Sequence, residues 1–361
     1  MQTAAQPARW RRFKIHTYNL CIVGFGNVGR ALVRLLQSKR QELSQRYGID
    51  WRITGIASRR LGWCAHAAGY DTSDLLDDDN LKSIPPTADN IEYWLSQAEA
   101  DVLFEATSLN RHDGQPAISH IRAALEYGAH AISANKGPIL LAYESLSALA
   151  AAKQRAFLFE SAVMDGAPIF SLFRDTLPAT RVLGFRGILN STTNVVLAGM
   201  EAGLDFDQAV GRAKEMGIAE SDPSDDLEGW DAAVKVAALT TVLLGYPLKL
   251  TEIEVSGITN LSSAHVQEAR YSGRPFKLVC RARRHNQTVV ASVRPEQLPL
   301  SDPLALVDGS SSCVEFELDV LRGLVITERD PGLKTTAYGM LADFIRAVSP
   351  RGAREFQHES R

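Results

Sequence analysis

Residues 18–36 read YNLCIVGFGNVGRALVRLL, an apolar run that stops at glycine and resumes with a different period. YNLCIVGF is short and continuously apolar, as a buried strand would be. Beyond it, VGRALVRLLQSKRQELSQRYG places Val28, Leu32, Leu35 and Leu36 on one helical stripe. A second apolar run, WRITGIAS, follows. Strand, helix and strand in that order imply a parallel pair with a crossover helix, hence an open α/β sheet. ADVLFEAT (100–107) and HAISAN (130–135) flank the helical QPAISHIRAALEYG and extend the alternation. The first half is therefore predicted to be a Rossmann-type doubly wound parallel sheet.

Between the first strand and its helix, Gly24, Phe25, Gly26, Asn27, Val28 and Gly29 form a GxGxxG loop. Glycines at that spacing allow a tight turn, a close backbone approach to a pyrophosphate and close packing of helix on strand. The context predicts dinucleotide binding; the alternative is a glycine-rich turn with no ligand. At the end of the second strand an NAD-selecting fold usually offers an acid to the ribose. Here Ser58, Arg59 and Arg60 stand instead, suited to a 2′-phosphate, so NADP is favoured with NAD as the alternative. Two solvated surface arginines are the plainer reading.

After FLFES the texture changes. GFRGILNSTTNVVLAGM reads as a strand, a polar turn and a helix, and later runs such as TVVASV and CVEFELD predict a mixed α+β second domain. TTAYGMLADFIRAV (335–348) closes the chain as a helix with threonine available as its cap.

The composition bounds the ligands. The 361 residues are 45% apolar and 22% charged with a formal charge of -3, which suits two globular domains and argues against nucleic-acid or membrane-surface partners. No apolar run approaches the roughly 20 residues of a membrane helix. Cys21, Cys64, Cys280 and Cys313 are scattered, which suggests neither zinc nor disulfides and fits a cytoplasmic protein. The first 41 residues lack any acid, and ARWRRFKIH (8–16) is basic and aromatic. A targeting peptide and a disordered or family-variable extension are the two readings of that stretch.

The segment AESDPSDDLEGWDAAVKVAALTTVLL (219–244) holds six carboxylates between Glu220 and Asp231, then turns apolar around a single lysine, Lys235. Asp225 with Glu228 three residues on can form a helix capping box, and acids in a first turn suit the helix dipole. Capping leaves Lys235 unexplained. Asp231, four residues earlier, lies on the same helical face and would keep the ammonium charged, while apolar surroundings would push its pKa down. An ordinary buried ion pair is the plain alternative to an acid/base group. Carboxylates and a lysine beside a nicotinamide suit a small amino-acid derivative with an ammonium and a reducible carbonyl.

GIAESDPSDDLEGWDAAVK closely resembles the signature of homoserine dehydrogenases, and further motifs come in the family's order. These are GFGNVGR, ATS (106–108), ANKGP (134–138), ESAVMDGAPIF (160–170) and GILNSTTN (187–194). The resemblance spans residues 18 to 348. It implies interconversion of L-homoserine and L-aspartate 4-semialdehyde with NAD(P), in threonine, methionine and isoleucine biosynthesis. Lys235 would be the general acid/base, Lys136 a second proton-transfer group, and Glu220, Asp231, Asp226 and Thr192 the substrate site. Thr107, Ser108, Lys136, Gly217 and Gly332 would join the glycine loop around the cofactor. ESAVMDGAP looks like the family's sodium loop, with main-chain oxygens of Glu160, Val163, Asp165 and Ala167 as ligands; a turn fixed by Gly166 and Pro168 is the alternative. The departures are Ser191, Ile218 and ERDPGLKTTA, where Glu328 and Asp330 replace a glycine-rich loop.

The resemblance also implies a homodimer and a short form without a C-terminal regulatory domain or fused kinase. The expected division is a basic extension (1–17), an NAD(P)-binding domain (18–157), and a catalytic, substrate and dimerisation domain (158–331). A C-terminal helix (332–350) would pack back on the first domain, ahead of a tail (351–361). A phosphorylating semialdehyde dehydrogenase would need a cysteine in these motifs and has none. A regulatory protein derived from the enzyme would be expected to lose Lys136 or Lys235.

Overall fold

The computed structural model describes residues 14–349, so most of the basic extension and all of the tail 351–361 lie outside the described residues. The glycine stretch forms β1 (His16–Val23) and a helix over Asn27–Glu42 that ends in a wider turn, Leu43–Tyr47. Gly48, left-handed at φ 66°, stops it. β1 pairs in parallel with β2 (Ile49–Ser58) on one side and, across the sheet, β3 (Gly62–Ala65) adds an antiparallel edge to β2. On its other side β1 pairs in parallel with β4 (Val102–Glu105), followed by β5 (His130–Ser133) and the short β6 (Phe157–Leu158). The order β3-β2-β1-β4-β5-β6 places the winding reversal between β1 and β4. Ligands of such sheets bind in the crevice at that reversal, beyond the strand carboxyl ends.

Two contacts show why glycine is needed at this crevice. Gly24 is left-handed at φ +82°, and a Cβ there would stand 2.4 Å from the carbonyl carbon of Ala106. A Cβ on Gly29 would lie 3.2 Å from Ile22 and from Phe25, at the helix–strand contact. The first glycine thus lets the loop after β1 rest on the loop after β4.

A second six-stranded sheet has the order β12-β11-β7-β9-β10-β8. Its strands are β7 (Val182–Ile188), β8 (Ile253–Val255), β9 (Phe276–His285), β10 (Thr288–Gln297), β11 (Ser312–Leu318) and β12 (Leu324–Glu328). All neighbours are antiparallel except β8 on β10, so the sheet is mixed, as expected. The helix Trp230–Leu243 packs on one face, where Ala233, Val236 and Ala237 share a core with Cys280, Ala282 and Val293. The closing helix, Leu333–Val348, returns to the first sheet: Phe344 meets Tyr18 and Phe104 edge-on, with centroids 5.9 and 6.0 Å apart.

Two local expectations are corrected. Threonine does not cap the closing helix: Gly332 takes the cap position, and Thr335, three residues in, accepts the Gly332 N–H at 2.8 Å. Asp225 and Glu228 form no capping box, because a short helix, Ser224–Leu227, already contains Asp225 in its first turn. Gly229, left-handed at φ 90°, then breaks the chain before Trp230 begins the long helix.

Candidate active site

That break sets the geometry of the acidic segment. It starts the long helix one residue before Asp231, so Asp231 lies in the first turn and Lys235 one turn deeper. Lys235 Nζ donates to Asp231 Oδ2 at 3.0 Å and to the Leu189 carbonyl at 2.6 Å. Lys136 Nζ, brought from the turn after β5, is 3.3 Å from Asp231 Oδ1. Asn190 donates to Asp226 Oδ1 at 2.6 Å and to Asp231 Oδ2 at 3.1 Å. One carboxylate therefore joins a lysine of the cofactor half to a lysine of the second half.

The charges act in a definite direction. Burial alone would pull the Lys235 ammonium down, but the charge and hydrogen bond of Asp231 outweigh it and leave the pKa above the usual lysine value. The expected depression is thus corrected. Burial alone would raise Asp231, and the adjacent Lys136 and Lys235 instead hold it far below the usual carboxylate range. Asp226 moves the other way, raised by burial and by the neighbouring charge of Asp231, and the Asn190 hydrogen bond, the Lys235 charge and a Thr192 hydrogen bond only partly offset this. The cluster holds two ammonium groups, one firmly ionised aspartate and one aspartate biased toward its proton.

Other expected residues fall into three places. Thr192 is buried, its hydroxyl 3.4 Å from the Ile218 carbonyl, and it also acts on Asp226 of the cluster. Glu220 is exposed and joins none of the hydrogen bonds of that cluster. Gly217 is left-handed at φ +70° with open space around it, and Gly332 likewise has no close neighbour. Thr107 and Ser108 follow β4 beside the glycine loop, where Asn135 donates to their carbonyls at 3.0 and 3.2 Å. Ser58 ends β2, its hydroxyl accepting the Leu61 N–H at 3.2 Å, and Arg59 and Arg60 are exposed on the turn to β3.

In the loop expected to hold sodium, Glu160 is 1% exposed, and its carboxylate accepts the N–H groups of Phe170 and Ser171 at 2.7 and 2.9 Å. The Ala167 carbonyl already accepts Ile169 N–H at 2.8 Å. Among the described residues no backbone hydrogen bond reaches the carbonyls of Val163 or Asp165. Glu328, half-buried, accepts Gly166 N–H at 3.4 Å and is pushed up to about 7 by burial and by Asp165. Asp330 meets Ser310 at 3.4 Å. The two acids of the altered loop are thus engaged with the second half of the chain.

Asn190 and Arg111 were not singled out by the sequence. Asn190 carries a helix-cap signal before Ser191 and turns out also to bind Asp226 and Asp231. Arg111, in the loop after Thr107, meets Asp225 at 2.8 Å and stacks over Trp230 at 5.2 Å. No local pattern marks it, since both partners lie more than a hundred residues away.

Comparison with known proteins adds the family. Residues 24–160 match the model "Homoserine dehydrogenase, NAD binding domain" and residues 168–345 the model "Homoserine dehydrogenase". The NAD(+)-dependent homoserine dehydrogenase of Pseudomonas canavaninivorans is 35% identical over 94% of this chain and 99% of its own length. The homoserine dehydrogenase of Methanocaldococcus jannaschii is 31% identical over 91% and 97%. Among solved structures, a putative homoserine dehydrogenase from Archaeoglobus fulgidus superposes with a TM-score of 0.82 at 28% identity, covering 92% of this chain and 99% of that one. A hyperthermophilic archaeal homoserine dehydrogenase in complex with NADPH gives 0.78 at 27% identity, covering 92% and 98%.

Proposed function

The chain belongs to the homoserine dehydrogenase family, and from that premise we propose which of its residues perform the NAD(P)-dependent interconversion of L-aspartate 4-semialdehyde and L-homoserine. The observation that carries the proposal is Asp231, whose two oxygens hold Lys136 and Lys235 from the two halves of the molecule. When bound, the reduced nicotinamide supplies a hydride to the aldehyde carbon. Lys235 polarises the carbonyl oxygen and delivers its proton as the alkoxide develops. Lys136 stands across Asp231 and adds positive charge to the same space, as a second proton-transfer group. Glu220 and Asp231 hold the substrate, with Asp226 supporting them, and Thr192 lines the pocket.

Gly24, Phe25, Gly26, Asn27, Val28 and Gly29 would hold the dinucleotide, together with Thr107 and Ser108, and Gly217 and Gly332 would help to bind it. Ser58, Arg59 and Arg60 favour NADP, because arginines at the end of β2 suit a 2′-phosphate. A sodium ion on the loop of Glu160, Val163, Asp165 and Ala167 is supported by two free carbonyls and two neighbouring carboxylates, although the Ala167 oxygen is already engaged. We keep the division into units 18–157, 158–331 and 332–350, although β6 (Phe157–Leu158) carries the first sheet one residue past the first boundary. We read the molecule as a cytoplasmic homodimer serving threonine, methionine and isoleucine synthesis.

Purified protein with NADPH and aspartate semialdehyde is expected to lose absorbance at the nicotinamide band. Lys235→Ala should abolish turnover with the circular dichroism spectrum unchanged; an active Lys235→Ala enzyme would refute the assignment. NAD and NADP run side by side, with Arg59→Ala, decide the cofactor: the variant should raise KM for NADPH about tenfold and leave NADH unaffected. For sodium, replacing choline by sodium at constant ionic strength should raise Tm, and an identical Tm would remove the ion from the reading.

A further inference from the structure

Directly beneath the loop after β4 lies a carboxylate with no part in the scheme above. Glu105, the last residue of β4, is 0% exposed. Its Oε1 accepts the Thr107 backbone N–H at 3.1 Å and also the Thr107 hydroxyl. Its Oε2 is buried and has no hydrogen-bond partner among the described residues. His120 Nδ1, also buried and without a hydrogen bond, is 3.6 Å from Oε1. Placing a carboxylate in a dry site with one oxygen unused is costly. A neutral residue of similar shape would avoid that cost if the site served packing alone.

The use of the carboxylate follows from the hydrogen bonds of Thr107. Its N–H and its hydroxyl proton both go to Glu105, and its carbonyl accepts from Asn135 at 3.0 Å. A carboxylate only accepts, so the hydroxyl proton must point inward. Thr107 Oγ1 then has lone pairs alone to offer outward, one of them weakly approached by Asn135 Nδ2 at 3.4 Å. The same Thr107 peptide is the surface on which Gly24 rests, its nitrogen 2.5 Å from where a Gly24 Cβ would be. Glu105 therefore fixes both the peptide beside the glycine loop and the polarity of the hydroxyl at the β1–β4 crevice.

We propose that Glu105 is a positioning residue for the cofactor: by holding the Thr107 proton inward, it makes Thr107 Oγ1 an obligatory acceptor for a hydrogen-bond donor of the dinucleotide. This rests on Thr107 contacting the cofactor, and the test separates the two claims. NADPH dissociation constants are measured by fluorescence titration for Thr107→Val, Thr107→Ser, Glu105→Gln, Glu105→Leu and the double variant Glu105→Leu/Thr107→Val. Thr107→Val should weaken binding about tenfold and Thr107→Ser should not, since serine keeps the hydroxyl; equal binding by the wild type and both variants would overturn the cofactor contact itself. Glu105→Leu should weaken binding by about tenfold with kcat at saturating cofactor nearly unchanged, the worth of one lost hydrogen bond between Thr107 Oγ1 and the cofactor. Glu105→Gln, whose oxygen can still accept, should restore most of it.

In the Thr107→Val background most of the Glu105→Leu penalty should disappear, leaving only what the lost support of the Thr107 N–H costs. A penalty of the same size with or without the Thr107 hydroxyl would show that Glu105 acts through packing and overturn the proposal. If Glu105→Leu does not fold, the cycle is run with Glu105→Gln, whose smaller penalty must likewise disappear beside Thr107→Val.

Discussion

Asp231 shows how one side chain can set the protonation of another. Its carboxylate raises Lys235 above the ordinary lysine value against the pull of burial. Reduction of the aldehyde needs the protonated lysine, so activity should persist to high pH and fall only where that proton leaves. Asp231→Asn removes the charge but keeps an acceptor for the ammonium. The pKa of Lys235 should then drop, and the alkaline limb of kcat should move to lower pH by at least one unit, with kcat reduced throughout. A kcat–pH profile from pH 6 to 11.5, which reaches past the raised lysine value, checks this, and an unmoved alkaline limb would separate Lys235 from the proton transfer. The i, i+4 spacing of Asp231 and Lys235 was visible in the sequence. The net direction of the shift was not, because it depends on Asp165 and Asp226 as well as on burial.

The closing helix carries a second charge problem, at the scale of an element. Asp343 Oδ2 accepts the Glu160 N–H at 2.6 Å, and Arg346 Nη1 reaches Asp343 at 3.3 Å and Glu160 at 3.2 Å. Burial, and then the charge of Glu160, push Asp343 up to about 7 from an ordinary 3.8. The folded state thus binds this proton more tightly than the unfolded chain. The stability it contributes is full below the ordinary aspartate value and is lost as pH rises through about 7. Tm should fall between about pH 4 and 7 and level off above, and Asp343→Asn should flatten that slope without erasing it, because Glu328, raised from 4.5 to about 7, titrates over nearly the same window. An equal slope in wild type and variant would contradict the coupling. Such detail was hidden in a sequence whose elements were otherwise legible. The alternation of β1, its helix and β2 was readable because periodicity is a local property. The antiparallel edge β3 was not, since GWCA is too short to show a period. Asp225 looked like a cap because an acid three residues before another is a local signal, whereas its partner Arg111 comes from a distant loop. Removing that partner tests the contact between the halves: Arg111→Ala should raise KM for aspartate semialdehyde severalfold and leave Tm within a few degrees, as expected of a single partly exposed ion pair.

At the scale of the whole molecule, the second sheet is half covered. Helices take one face, and the other bears Arg186, Arg281 and Arg283 interleaved with Glu296, Glu315 and Glu317 in pairs of 2.7, 2.7 and 2.8 Å. An antiparallel sheet can leave one face in water, so openness alone proves nothing. This face, however, forms a broad groove of about 820 Å³, and Val290 on β10 and Val325 on β12 are 66% and 44% exposed beside it. A two-fold axis through it would set each copy's arginines against its partner's glutamates, a self-complementary arrangement of the isologous kind. The homodimer proposed above is therefore expected to use this face and to weaken as salt screens the pairs. Sedimentation equilibrium at micromolar concentration should give twice the chain mass of 39.5 kDa. Arg186→Glu with Arg281→Glu should shift the protein toward the monomer, while Lys39→Glu, on the first half, should leave it dimeric. A wild-type monomer would exclude the dimer, and a double variant that remained dimeric would move the interface to another surface.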